Sequence, residues 1–140
     1  MPAISEILLD SRSHPGINSD PVTYYGEAFK GDGYYGLGDG VHTVEIQISG
    51  FTGSILIQAS LASSPTGNDW FSIPLTLAGS ETLVIDTTGA ITKINVPKII
   101  QYTAATTSVK VYNFTGNFVW VRAIVENWTS GAINRILYNH

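Results

Sequence analysis

The chain has 140 residues, 44% hydrophobic and only 13% charged, with 11 acidic side chains against 7 basic ones and no cysteine. That length suits a single domain large enough to bury a core without a staple. The absence of cysteine excludes a disulfide framework and thiol chemistry, and the net charge of −4, with its cations scattered singly, excludes the basic stripe of a nucleic-acid binder.

Residues 1 to about 22 differ in character from the rest of the chain. Ile4, Ile7, Leu8 and Leu9 form a short apolar stretch, followed by Ser11-Arg12-Ser13-His14-Pro15-Gly16 and by Ser19-Asp20-Pro21. Proline and glycine at that density break helix and strand alike. The segment reads either as an extended lead-in packed along its own domain or as an arm whose apolar residues dock on a neighbouring subunit. It carries no basic region running into an apolar stretch, so a secretory leader is not expected. No apolar run in the chain approaches the roughly 20 residues of a membrane helix.

Gly31-Asp32-Gly33-Tyr34-Tyr35-Gly36-Leu37-Gly38-Asp39-Gly40 places five glycines in ten residues, which predicts a tightly folded loop. It lacks the lysine and the spacing of a phosphate-cradling loop. Asp32 and Asp39 do not have the spacing of a calcium loop. No cofactor or metal is expected here or elsewhere.

From Val41 onward a period of two dominates. Val44, Ile46 and Ile48 alternate with Glu45, Gln47 and Ser49; beyond Phe51-Thr52-Gly53, which reads as a turn, Ile55, Ile57, Ala59 and Leu61 continue the inward face. Ser63 to Asp69 is a turn cluster. Trp70 to Leu77 is a strand in which Pro74 argues for an edge or a bulge. Leu83-Val84-Ile85 and Ile91 to Val96 come next, then Ser108 to Tyr112, a second Phe114-Thr115-Gly116, and Val119 to Val125; Ile133 to Tyr138 closes the chain. The two Phe-Thr-Gly triplets, 63 positions apart, suggest two related hairpins. About eight short strands separated by turn signals predict an all-β, single-domain β-sandwich, jelly-roll-like, with an N-terminal arm over residues 1–22 and the sandwich over 23–140.

Aligning the two hairpins puts Val119, Val121, Ala123 and Val125 inward and Phe118, Trp120, Arg122 and Ile124 outward. A strand that is apolar on both faces is usually covered on both. Phe118, Trp120 and Ile124, with Ile4, Ile7, Leu8 and Leu9, are therefore candidate subunit contacts.

The three histidines, His14, His42 and His140, have no zinc-motif spacing, and no nucleophile elbow is present. Asp69, Glu81, Asp86 and Glu126 cannot be paired from sequence into the two carboxylates of a glycosidase. A non-enzyme is expected. Tyr34, Tyr35, Trp70 and Trp128 lie in or beside loops, near Asn, Asp and Gln. They read either as glycan-stacking side chains or as caps on the ends of a core. The Asn113-Phe-Thr115 and Asn127-Trp-Thr129 sequences fit the glycosylation pattern, but without a secretory route they carry no weight.

Four segments carry a resemblance: Gly31 through Thr43, Gly50-Phe51-Thr52-Gly53, Asp69-Trp70-Phe71, and Phe114-Thr115-Gly116-Asn117-Phe118-Val119-Trp120-Val121-Arg122-Ala123. Together they resemble small virion structural proteins of tailed phages infecting cyanobacteria, from about residue 28 to the C-terminus. The resemblance implies a non-catalytic β-sandwich subunit that coats or joins part of a particle assembled in the host cytoplasm. Its implied partners are the major capsid protein or other virion proteins, and its own copies, a trimer being common among such subunits. Capsid decoration or cementing is the leading expectation, with a tail, neck or fibre component that contacts host-surface glycans as the alternative. Neither nucleic acid nor membrane is an expected partner.

Overall fold

The computed structural model describes residues 6–14, 21–31, 34, 41–77, 83–85, 91–93 and 98–139. Among these residues there are eleven strands: β1 (Glu6–Leu9), β2 (Arg12–Ser13), β3 (Val22–Tyr25), β4 (Phe29–Lys30), β5 (Val41–Ser60), β6 (Phe71–Ser72), β7 (Thr76–Leu77), β8 (Leu83–Ile85), β9 (Ile91–Lys93), β10 (Ile100–Thr115) and β11 (Trp120–Asn139). The fold is all-β, as the alternation predicts. Nine strands form one antiparallel sheet in which β5 is central, flanked by β10 and β11; β8 and β9 pair separately.

The connection from β10 to β11 reveals the shape of this sheet. β10 ends with Thr115 opposite Val41, at one end of β5, whereas β11 starts with Trp120 opposite Ser60, at the other end. A straight 20-residue strand would be roughly 65 Å long, and the short link between Thr115 and Trp120 reaches at most about 17 Å. The ends of β5 must therefore lie close together. They do: Gly116 O accepts a hydrogen bond from His42 at 2.6 Å, while Val119 N donates to Ser60 O at 3.0 Å. The sheet folds over on itself, and its two halves enclose one core, an arrangement consistent with a sandwich whose layers share their strands.

The fold line crosses the three long strands at the same level. In β5 the buried residues of the inward face are His42, Val44, Ile46 and Ile48 before Gly50, and Phe51, Ile55, Ile57 and Ala59 after it; beyond the bend Ser54, Leu56 and Ser60 are buried as well. One extra residue at the bend shifts the alternation from even to odd, so both halves keep their apolar side inward. The registry with β10 slips between Tyr102 and Ser108, and that with β11 slips between Glu126 and Ala132. Gly50 (φ 59°) and Gly131 (φ 84°) meet at this line in backbone conformations that favour glycine. A Cβ on Gly131 would overlap the Gly50 carbonyl, so the two backbones approach as only glycine allows.

Three expectations are corrected here. Phe51-Thr52-Gly53 is no turn: the chain continues as β5, so the first of the two hairpins does not exist and only the second triplet precedes a reversal. Leu61, expected to face inward, lies one residue beyond the end of β5 and is exposed. Trp70 to Leu77 is two short pairings, β6 and β7, with Pro74 in the unpaired segment between them. The turns at 78–80 and 86–90, residues 94–96, Glu81, Asp86, His140 and most of the glycine-rich 31–40 loop, with Asp32 and Asp39, lie outside the described residues.

The N-terminal residues run as a broken strand along β11. β1, β2, β3 and β4 pair in turn with its residues 136–138, 132–133, 124–128 and 120–121. Leu8 and Leu9 are buried in the core with Val44, Ile57, Val121 and Ile136.

Tyr112, on β10, is buried in the same core. Burial first, and the neighbouring Tyr102 phenol second, push its pKa well above the ordinary tyrosine value. A pKa raised in the folded state means stability that is complete below the unfolded value, about 10, and that declines as pH rises from there towards the folded value. Urea unfolding followed from pH 9 to pH 11.5 should show falling stability, with a shallower fall in Tyr112→Phe. An unchanged slope in that variant would count against this assignment.

Candidate binding face

Antiparallel partners project to the same side of a sheet, so the registry defines the outer face of the β11 half. Trp120, Arg122 and Ile124 on β11 stand beside Ser60, Gln58 and Leu56 on β5. Lys30 stands opposite Trp120, Tyr25 opposite Ile124, and Ser72 opposite Gln58. Alternation along the sequence predicts Trp120, Arg122 and Ile124 on this face, and they are there. Phe118 is not. It precedes the first residue of β11, escapes the strand's alternation, and turns into the core beside Phe71, His42 and Phe114 at ring separations of 5.8, 5.7 and 6.1 Å.

The chain itself buries much of the apolar part of this face. Ile124 is 1% exposed and Leu56 is likewise buried, although both lie outside the main core cluster. Trp120 is half-buried, its indole N–H donating to Ser63 O at 3.0 Å and its ring meeting Tyr34 edge-on at 5.4 Å. Of the N-terminal candidates, Leu8 and Leu9 are internal, Ile7 is 51% exposed, and Ile4 lies outside the described residues.

Arg122 is the most constrained polar group here. Its Nε and Nη2 donate to Gln58 Oε1 at 3.1 and 2.9 Å. Its guanidinium lies 4.2 Å from the Trp70 ring centroid and 5.2 Å from that of Tyr25. Desolvation lowers its pKa, opposed by the Tyr25 phenol. Two rings and an amide oxygen thus hold one cation in place, each cation–π contact contributing about 0.5–1 kcal/mol at such a site. A second cation, Lys30, lies with Nζ 4.4 Å from the Tyr34 ring centroid.

The acid partners are unevenly distributed. Arg12 pairs with Asp10 at 2.9 Å, and Arg135 approaches Glu45 at 3.8 Å. Arg122 and Lys30 have no carboxylate within ion-pairing distance among the described residues. Asp69, next to Trp70 in sequence, is engaged in its own turn, accepting from Thr66 N at 2.7 Å and Thr66 Oγ1 at 3.0 Å.

The glycan-contact candidates separate clearly. Tyr34 is 46% exposed and Trp70 half-buried beneath Arg122, whereas Tyr35 lies outside the described residues. Trp128 is wholly buried at the fold line, in reach of no ligand while the fold is intact. Tyr25, 60% exposed, was not singled out from sequence, because a tyrosine in a four-residue edge strand has no signal until its partner strand is known.

His42 is fully buried where the two ends of β5 meet. Nε2 lies 2.6 Å from Gly116 O, which can only accept, so the ring proton sits on Nε2, and in the neutral imidazole Nδ1 accepts from Tyr138 Oη at 2.6 Å. The imidazole stacks on Phe114 with centroids 4.7 Å apart. Its surroundings are those of a structural polar link. Among the described residues no group of three His, Asp or Glu side chains is placed to hold a metal ion.

No protein-family model matches the chain, and no curated protein does. Among solved structures it is similar to the crystal structure of the SPBc2 prophage-derived protein YomS, at 13% identity over 99% of this chain and 95% of that one, with a TM-score of 0.44.

Proposed function

We propose that the chain is a non-enzymatic structural subunit of a phage virion, acting as a capsid decoration or cement protein that stabilises the head shell. The motif resemblance supports the class. The observation that carries a role in assembly is where the exposed apolar side chains lie. Ile7 is exposed on the edge strand β1, Val109 on β10 at the opposite flank of β5, and Leu61 and Ile99 just outside strand ends. Exposed apolar residues on strand margins invite pairing with another chain, and a partner subunit would bury them. The long strands of one folded sheet would make a stiff unit for bridging capsid subunits or further copies of itself.

Because Leu8 and Leu9 belong to the core, deleting the N-terminal segment would unfold the protein before it tested docking. Ile7→Asp is the better probe, since it adds a charge at an already exposed site. Particles supplied with this variant should bind at least about tenfold less of it than of the wild type, while the isolated variant keeps its melting temperature to within about 2 °C. Full occupancy by Ile7→Asp would remove β1 from the interface.

A second reading, a tail, neck or fibre component that contacts host-surface glycans, is favoured by the exposed Tyr25 and Tyr34 rings on the outer face.

A further inference from the structure

The outer face of β11 combines features that separately would mean little. Arg122 is the one arginine among three without a carboxylate partner among the described residues, although acidic residues outnumber basic ones in the chain. Its orientation is already set. With Nε and Nη2 committed to Gln58, Nη1 has no acceptor among the described residues, and the guanidinium carbon lies 4.2 Å from the Trp70 ring centroid and 5.2 Å from that of Tyr25. A donor group whose rotamer is fixed before binding loses little entropy when a ligand arrives. Two positions along β11, about 7 Å away for successive residues on one face, Trp120 and Tyr34 form a second aromatic pair with Lys30 over the Tyr34 ring.

We infer that this face is a binding site for an acidic saccharide, with the Arg122 guanidinium taking a sugar carboxylate while Tyr25 and Trp70 flank it, and with Lys30, Tyr34 and Trp120 providing a second anionic subsite. The inference deepens the glycan-contacting reading above by naming its ligand class and its residues. Guanidinium recognises carboxylate through charge-assisted hydrogen bonds about twice as strong as neutral ones. Aromatic rings supply flat apolar surface beside it. The charge complementarity is local: an anion is drawn to two cations that have no carboxylate partner among the described residues, on a protein of net negative charge. Single-stranded nucleic acid also suits aromatics and cations, but phosphate chains demand a run of lysines and arginines along their path, and among the described residues Arg122 and Lys30 are the cations set against the rings of this face.

The test uses the full chain and a panel of uronate- and sialate-bearing oligosaccharides, each paired with its carboxyl methyl ester, together with neutral oligosaccharides and oligo(dT), by calorimetry at constant ionic strength. At least one acidic saccharide is expected to bind, at least tenfold more weakly as its ester. Arg122→Gln should weaken that binding tenfold or more and Arg122→Lys by less. Tyr25→Ala, at a position that is 60% exposed, should weaken it at least threefold. Binding of no acidic saccharide, equal binding of acid and ester, binding unchanged in Arg122→Gln and Tyr25→Ala, or stronger binding of oligo(dT) would each overturn the inference. Binding of neutral sugars alone would overturn it and leave the glycan reading standing; binding of no saccharide at all would remove both.

Discussion

Trp128→Ala is expected to destabilise the protein by about 3–5 kcal/mol, the range for removing a large buried aromatic side chain. At roughly 3 °C per kcal/mol for a domain of this size, the melting temperature should fall by about 10–15 °C. The physical reason is position. Trp128 is fully buried at the line where the sheet folds over, its ring 6.0 Å from Phe51 on β5 and 5.7 Å from His14, with Gly53 pressed against its Cα. Its indole N–H donates to Ser130 O at 3.1 Å, and its carbonyl accepts from His14 Nε2 at 2.8 Å. Truncation would leave a void between backbones that glycine contacts already hold close, so little collapse could offset the loss. Thermal unfolding by circular dichroism decides the matter. A surface aromatic would leave the melting temperature within about 2 °C, and that result would contradict this packing.

His42→Phe should cost about 2–5 kcal/mol in urea unfolding, although the ring is replaced by another ring of similar shape. The variant takes a donor from Gly116 O, which is part-buried, and an acceptor from the buried Tyr138 Oη. A buried polar group stripped of a partner costs roughly 1–3 kcal/mol. The Gly116 bond ties the start of β5 to the connection that enters β11, closing the folded sheet, and the Tyr138 bond ties it to the end of β11. The double variant His42→Phe with Tyr138→Phe removes both members of one bond, and its cost should fall short of the sum of the single costs by about 1 kcal/mol or more. Additive costs would show that the two side chains do not act as a pair.

Both variants touch residues whose roles sequence reasoning could not assign. Asn127-Trp128-Thr129-Ser130-Gly131 has the composition of a loop, and glycine with positive φ serves a turn as well as a bulge. Which of the two occurs depends on whether partner strands continue alongside, and β5 continues alongside β11 here. The same ambiguity turned Gly50-Phe51-Thr52-Gly53 into an expected hairpin. Residues 100–107, Ile-Gln-Tyr-Thr-Ala-Ala-Thr-Thr, show no alternation because most are exposed on a strand near the margin of the sheet. The N-terminal strands were hidden among prolines and glycines, since two- to four-residue pairings on an edge need little propensity of their own.

The candidate face was half legible. Alternation along β11 placed Trp120, Arg122 and Ile124 outward, and period two is local and survives any tertiary arrangement. Tyr25, Trp70 and Lys30 joined Arg122 or its neighbours from segments up to 97 positions away in the chain, a proximity that no local pattern encodes.

By itself, then, the sequence determined the all-β class, the inward-facing apolar sets of β5 and of the first part of β11, and the direction in which Arg122 points. These come from the spacing of apolar residues and from the geometry of a single extended strand. Only the tertiary structure decided that the long strands bend instead of reversing, that Phe118 and Trp128 are core, that the N-terminal residues are an edge of the sheet, and that Arg122 meets two rings and, among the described residues, no acid. Each of these depends on hydrogen-bond partners distant in the chain, because a backbone that bends and a backbone that turns satisfy the same local preferences and differ only in what lies beside them.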